Sequence, residues 1–351
     1  MTPKMNMNGR PRICIINVWF GKAFPTLFPL WLKSITKNPC VDFMLFGDLP
    51  PQGVLPSNFR HHFMARPDME AQARERLHEP HLSISTPYKV CDFKPMFGEI
   101  FQEYLHGYDF WGHCDLDMVF GNLADFLTPE KLAAHDKIYP NGHLSLYRNT
   151  PEVNARWRLP GAKFDVKLVL SSPMNFAFDE WDGIYNIYRR NSFPFYRDVE
   201  FAEPIADCPR FRLLPQRSNA KYERRPQDYP EQLFYWEDGK VWRAYVNSEG
   251  MVKTETFAYV HFQKRMFGEI GKDVLEAASF YCTTEGFISK LAFGPPGRDE
   301  IRKLNPPRSA WLEKLEFWWR RKKRHWIRRI TGKTTFASKS LKLPQKETQI
   351  V

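Results

Sequence analysis

Cysteine is scarce: the 351-residue chain has six (Cys14, Cys40, Cys91, Cys114, Cys208 and Cys282), spread singly with no C-x-x-C pair. That spacing argues against a zinc ribbon or a thioredoxin-type redox centre, and no structural metal follows from it. Neither G-x-G-x-x-G nor G-x-x-x-x-G-K-[ST] occurs, so the standard dinucleotide fingerprint and the P-loop are both missing. No run approaches the roughly 18 uninterrupted apolar residues that a membrane span needs. The opening MTPKMNMNGRPR lacks the apolar block and small-residue cleavage site of a secretory leader. The expected location is therefore the cytoplasm, with the cysteines as buried, reduced thiols.

What is abundant is apolar and aromatic material. The hydrophobic fraction is 43%, with 29 Phe, 14 Tyr and 11 Trp, enough for a sizeable core and incompatible with a disordered chain. The formal net charge of +11 suggests a nucleic-acid binder until its distribution is considered. Residues 307–351 carry 13 Lys/Arg and 3 Asp/Glu, whereas residues 1–306 are nearly balanced, with 38 basic and 37 acidic side chains. Any partner inferred from charge is a partner of the tail.

Residues 12–20 (RICIINVWF) read as a strand buried on both faces, residues 25–37 as a helix with Pro29 near its start, and residues 41–48 (VDFMLFGD) as a second buried strand. This order opens a nucleotide-binding α/β unit. Ligands in such sheets bind at the carboxyl ends of strands, so Asp48 is a candidate acceptor for base or ribose, and Trp19 and Phe20 are candidates to stack on a base. A helix is expected over 95–106, an aromatic strand over 108–123, a helix over 129–135, and short strand-like pieces beyond, including 167–178. A Pro-, Gly- and charge-rich boundary begins at Pro295.

The aromatic strand is interrupted by Asp115 and Asp117 in CDLDMVFG. Residues two apart on a strand share a face at about 6.5–7 Å. At a strand end they can converge on one Mg²⁺ or Mn²⁺, with diphosphate oxygens as further ligands. The competing reading is a structural turn or a salt-bridged pair. Unpaired charge after so buried a strand would be costly without a counter-ion, which favours the cation.

Taken together, the first strand, PYKVCDFKPMFGEIF, YDFWGHCDLDMVFG and GHLSLYRN resemble a family of glycosyltransferase-like proteins from bacterial polysaccharide loci. That family is similar to GT-A nucleotide-sugar transferases. The resemblance covers roughly residues 10–270. It implies a GT-A-like, Rossmann-type mixed α/β sheet flanked by helices, with a nucleotide-binding half at 10–125 and an acceptor half at 126–294; the basic, aromatic tail at 295–351, with its amphipathic helix, is read from composition and charge instead. It also implies Mn²⁺ or Mg²⁺ on Asp115 and Asp117, with His261 as a third ligand and Lys264 near phosphate. Arg265 is a further candidate cation for the departing diphosphate. Lys89 and Lys94 would lie near phosphate, and Asp92 near ribose or a donor-sugar hydroxyl. For each of these residues a plain structural role is the alternative.

An inverting transfer needs a general base, and FDEWDG supplies Asp179, Glu180 and Asp182 around Trp181. The same acids also suit a helix start. His143 and Arg148 are candidate acceptor contacts. In the tail, residues 309–330 place Trp311, Leu315, Trp318, Trp319, Trp326 and Ile330 near one helical face among Arg and Lys. The favoured partner is an anionic membrane surface, so the protein is expected at the inner face of the plasma membrane. Nucleic acid and packing on the body are the alternatives. The overall expectation is a metal-dependent transferase using a nucleotide-sugar donor and a glycan or lipid-linked acceptor. Its rivals are a nucleotidyl- or phosphotransferase and a non-catalytic glycan- or membrane-binding protein.

Overall fold

The computed structural model describes residues 10–214, 226–263 and 265–330. Its centre is a seven-stranded mixed sheet built from β1 (Ile13–Trp19), β2 (Val41–Gly47), β3 (Phe59–Phe63), β4 (Phe110–Cys114), β6 (Lys137–Ile138), β7 (Leu144–Arg148) and β8 (Phe195–Tyr196), in the order β3-β2-β1-β4-β7-β6-β8. β3, β2, β1 and β4 run parallel to one another, and β7 runs antiparallel to β4. Helices cover the sheet, so the expected α/β class is observed. β1 and β2 are apolar on both faces because two core clusters need them. Cys14 and Ile16 face one cluster, while Ile13 and Ile15 face the other.

Helix α1 (Phe28–Ile35) starts with proline in its first turn and buries Phe28, Trp31 and Ile35. Trp31 is fully buried, stacked on Phe28 and edge-on to Phe43, Phe59 and Phe120. Helix α2 (Arg66–Leu77) buries only Met69, Ala73 and Leu77. These few apolar positions at helical spacing in a polar stretch are a weak signal, and the sequence reading passed over the helix.

Two expected elements differ. Residues 95–106 form no single helix: a run of tight three-residue turns spans Pro87–Met96, followed by one α-turn at Phe97–Ile100 and another tight turn at Gln102–Leu105. Pro95 lies inside the first run and lacks the N–H an α-helix would need there. Residues 167–178 are likewise no strand, since Val166–Ser171 is a short helix capped by Asp165 Oδ1, which accepts from Leu168 N at 3.1 Å.

The second half adds a five-stranded antiparallel sheet from β9 (Gln232–Glu237), β10 (Lys240–Val246), β11 (Val252–Phe257), β13 (Ser279–Cys282) and β14 (Phe287–Ser289). A two-stranded antiparallel ribbon, β5 (Met118–Phe120) with β12 (Tyr259–His261), joins this half to the end of β4. The chain ends in the helices Arg298–Leu304 and Ala310–Ile330.

Candidate active site

Strand order reverses at β1: β2 and β3 lie on one side, and β4 on the other. A crevice outside the carboxyl ends of β1 and β4 is where doubly wound sheets bind ligands. The chain turns there at residues 115–117. Asn17 on β1 holds the turn by donating Nδ2 to Cys114 O at 2.6 Å, and Asp115 N donates to His143 O at 2.9 Å.

The register of the ribbon sets His261 opposite Met118, and Phe262 N donates to Asp117 O at 3.0 Å. His261 Nε2 consequently stands 3.5 Å from Asp115 Oδ2 and 3.4 Å from Asp117 Oδ1. Its Nδ1 lies 3.2 Å from Glu203 Oε1. Glu203 arrives because residues 200–202 run beside 258–261, with Ala202 N on Tyr259 O and His261 N on Ala202 O, both at 2.9 Å. His143 stacks under His261 at 4.3 Å between ring centroids.

Lys94 completes the floor. Its Nζ lies 2.7 Å from Asp115 Oδ1 and 3.0 Å from Asp179 Oδ2, and donates to Gly142 O at 3.0 Å. A Cβ at Gly142 would stand 2.5 Å from Asp179 Oδ2 and 3.0 Å from Glu180 Oε1, so the backbone there must be bare for the two acids to approach. Tyr88, exposed at the rim, lies near enough for the charges of Asp179 and Asp115 to act on its hydroxyl.

The electrostatics follow from burial plus these pairs. Burial alone would lower the proton affinity of Lys94, but Asp115 and Asp179 outweigh it and hold the ammonium well above its ordinary range. His261 likewise loses proton affinity to burial and regains more from Asp117 and Glu203. His143 is pushed well below the usual imidazole value by burial and then by the charge of His261. Burial raises Asp179 and Glu180, and the charge of Asp179 raises Glu180 further.

Two carboxylate oxygens and an imidazole nitrogen are a donor set for Mn²⁺ or Mg²⁺. Among the described residues, the ligand atoms of Asp115, Asp117 and His261 lie within 4.8 Å of one another. The two aspartates keep 33% and 27% of their side-chain surface open to solvent. Glu203, on the far nitrogen of the imidazole, stands where a carboxylate would orient the ring if Nε2 held a metal. The donor set therefore fits a hard divalent cation.

Other candidates stand elsewhere. Lys89 and Asp92 are sealed in the core as a 2.8 Å ion pair with no exposed side-chain surface. Lys89 also donates to Val169 O and Met174 O, and Asp92 accepts from Phe176 N and Phe178 N, which leaves neither for a ligand. Asp182 turns outward to Lys163 at 3.0 Å, away from Asp179 and Glu180. Phe20 is buried in the core and cannot stack on a base. Trp19 is half-buried and Asp48 exposed, both at the sheet edge that carries Asp115. Arg265 is buried, holding Ile205 O and Cys208 O, and Arg148 pairs with Asp136. Lys264 lies outside the described residues. The sequence reading missed Glu203, and only the bare FAEPIAD carboxylate marks it.

Residues 15–291 match the family described as "Family of unknown function (DUF6625)". The chain belongs to that family. No curated protein matches this DUF6625 chain. Among solved structures, it is similar to mouse xyloside xylosyltransferase 1 in its apo form, at 8% identity and a TM-score of 0.31, over 55% of this chain and 88% of that one.

Proposed function

We propose that this protein is a glycosyltransferase, moving a sugar from a nucleoside-diphosphate donor to a hydroxyl of a surface polysaccharide or lipid-linked glycan. The observation that carries the reading is the convergence of Asp115, Asp117 and His261 at the strand-order reversal, with Glu203 behind the imidazole. Asp115, Asp117 and His261 would hold a divalent cation. Such an ion, when bound, neutralises charge on a diphosphate leaving group.

The chain's own residues account for the rest. Lys94 keeps a buried cation at the edge of the carboxylate pair, where it counters phosphate charge. Tyr88 and Trp19 offer rings for a sugar or a base. Of the two acids, Asp179 is buried and tied to Lys94, while half-buried Glu180 has its proton affinity raised by desolvation and then by the charge of Asp179. Glu180 is accordingly the group suited to accept the acceptor hydroxyl's proton in an inverting transfer.

Titration calorimetry of UDP and GDP with and without Mn²⁺, followed by product analysis with nucleotide sugars, tests this reading. Cation-dependent binding and release of free nucleoside diphosphate are expected. Release of pyrophosphate would assign a nucleotidyltransferase instead, and absence of binding to any nucleotide would leave a non-catalytic protein.

A further inference from the structure

We propose that the helix Ala310–Ile330 is a docking surface for an anionic lipid bilayer, lying in the plane of its interface. The helix has two sorted faces. On one, Glu313 pairs with Arg210 (3.2 Å) and Arg212 (2.9 Å), Arg320 pairs with Glu285 (2.6 Å), and Arg324 pairs with Asp207 (2.6 Å). At about 100° per residue, positions 313, 320 and 324 fall within about 40° of one another, so this stripe is fastened to the body.

On the opposite side Trp311, Leu315, Trp318, Trp319 and Trp326 fall within an arc of about 100°. They are between 50% and 69% exposed. Contiguous apolar surface of this kind on a soluble domain marks an interaction site.

Charge identifies the occupant. The acidic side chains of the helix, Glu313 and Glu316, are both engaged away from the arc, the latter with Arg308. The exposed cations Lys314, Arg321, Lys322 and Lys323 border or interrupt the tryptophans, with Arg321 over the Trp318 ring and Lys323 over the Trp319 ring. A second copy of the chain would bring two such cationic arcs together. An anionic bilayer instead accepts the rings at headgroup depth and neutralises the cations. No helix among the described residues is long and apolar enough to cross a membrane, so the contact lies in plane. The helix is tied through Asp207 and Arg210 to the segment that begins at Glu203, so docking would hold the candidate site close to lipid-borne acceptors.

Flotation of the full-length protein with phosphatidylcholine vesicles, with and without about a third phosphatidylglycerol, tests the proposal. Partitioning onto the anionic vesicles is expected to be at least about tenfold stronger, and to fall most of the way at about 0.5 M salt. Arg321→Glu/Lys322→Glu/Lys323→Glu, and separately Trp318→Ser/Trp319→Ser/Trp326→Ser, should each cut binding about tenfold or more while the thermal unfolding temperature stays unchanged. Equal partitioning to neutral vesicles would overturn the proposal, as would full binding by both variants. So would tighter retention on RNA or duplex DNA at the same salt, or a dimer that the tryptophan variant dissolves.

Discussion

Lys89 and Lys94 show how little a residue's type says about its role. They stand five apart on a run of three-residue turns, which sets them about 120° apart around its axis. Asp92, three residues from Lys89, is eclipsed with it, and the two close a buried pair, while Lys94 reaches Asp115. Removing one partner of so buried a pair leaves the other uncompensated. Lys89→Met should therefore cost about 3–5 kcal/mol in a denaturant titration. A loss below about 1 kcal/mol would show that the pair is not what holds this segment. At the candidate site, Asp117→Asn should abolish Mn²⁺-dependent nucleoside-diphosphate binding with the fold intact. Glu203→Gln, which leaves the donors of Asp115, Asp117 and His261 in place, should weaken Mn²⁺ about 10–100-fold by calorimetry. Unchanged Mn²⁺ affinity in Glu203→Gln would separate Glu203 from the cation.

At the scale of elements, the helix Arg298–Leu304 is clamped to the five-stranded sheet by Glu231, which accepts from Arg298 Nε at 2.8 Å and from Arg302 Nε at 2.9 Å. These bonds draw the Glu231 carboxyl down to about 2. A depressed carboxylate contributes stability that is fully present above the unfolded value near 4.5 and disappears as pH falls through about 2. Both arginines are partly exposed, so the contribution is about 1 kcal/mol. Glu231→Gln should unfold at lower temperature than the parent at pH 6, and the gap should close as pH falls from about 4.5 towards 2. A gap independent of pH would mean that packing, and not this ion cluster, holds the helix.

For the whole molecule, the candidate site gathers Asp115, Asp117, Asp179, Glu180 and Glu203 around Lys94 and His261, drawing on the turns of 87–96, the end of β4, the ribbon and the loops that carry residues 179–180 and 203. A cation that binds such a folded cluster, and not the unfolded chain, stabilises the whole by mass action. Mn²⁺ at about a hundredfold over its dissociation constant should add about 2.7 kcal/mol and raise the unfolding temperature by a few degrees, reversed by chelator. Asp117→Asn should show no such rise, and an equal rise in that variant would move the cation elsewhere.

Three features were legible in the amino-acid order alone: the alternation of buried strand and helix through residues 12–48, the acidic pair at the end of an aromatic strand, and the sorted tryptophans and cations of residues 309–330. Each is local, because periodicity records which side of a segment meets the core. The five-stranded antiparallel sheet was not legible, and neither were the broken turns where a helix was expected at 95–106. Tertiary structure alone decided that Glu203 backs His261, that Asp179 faces Lys94 while Asp182 faces solvent, and that Lys89 is sealed. Those outcomes depend on which distant segments pair, such as residues 200–202 beside 258–261. Long-range hydrogen-bonded register sets that pairing and leaves no mark in the composition of either segment.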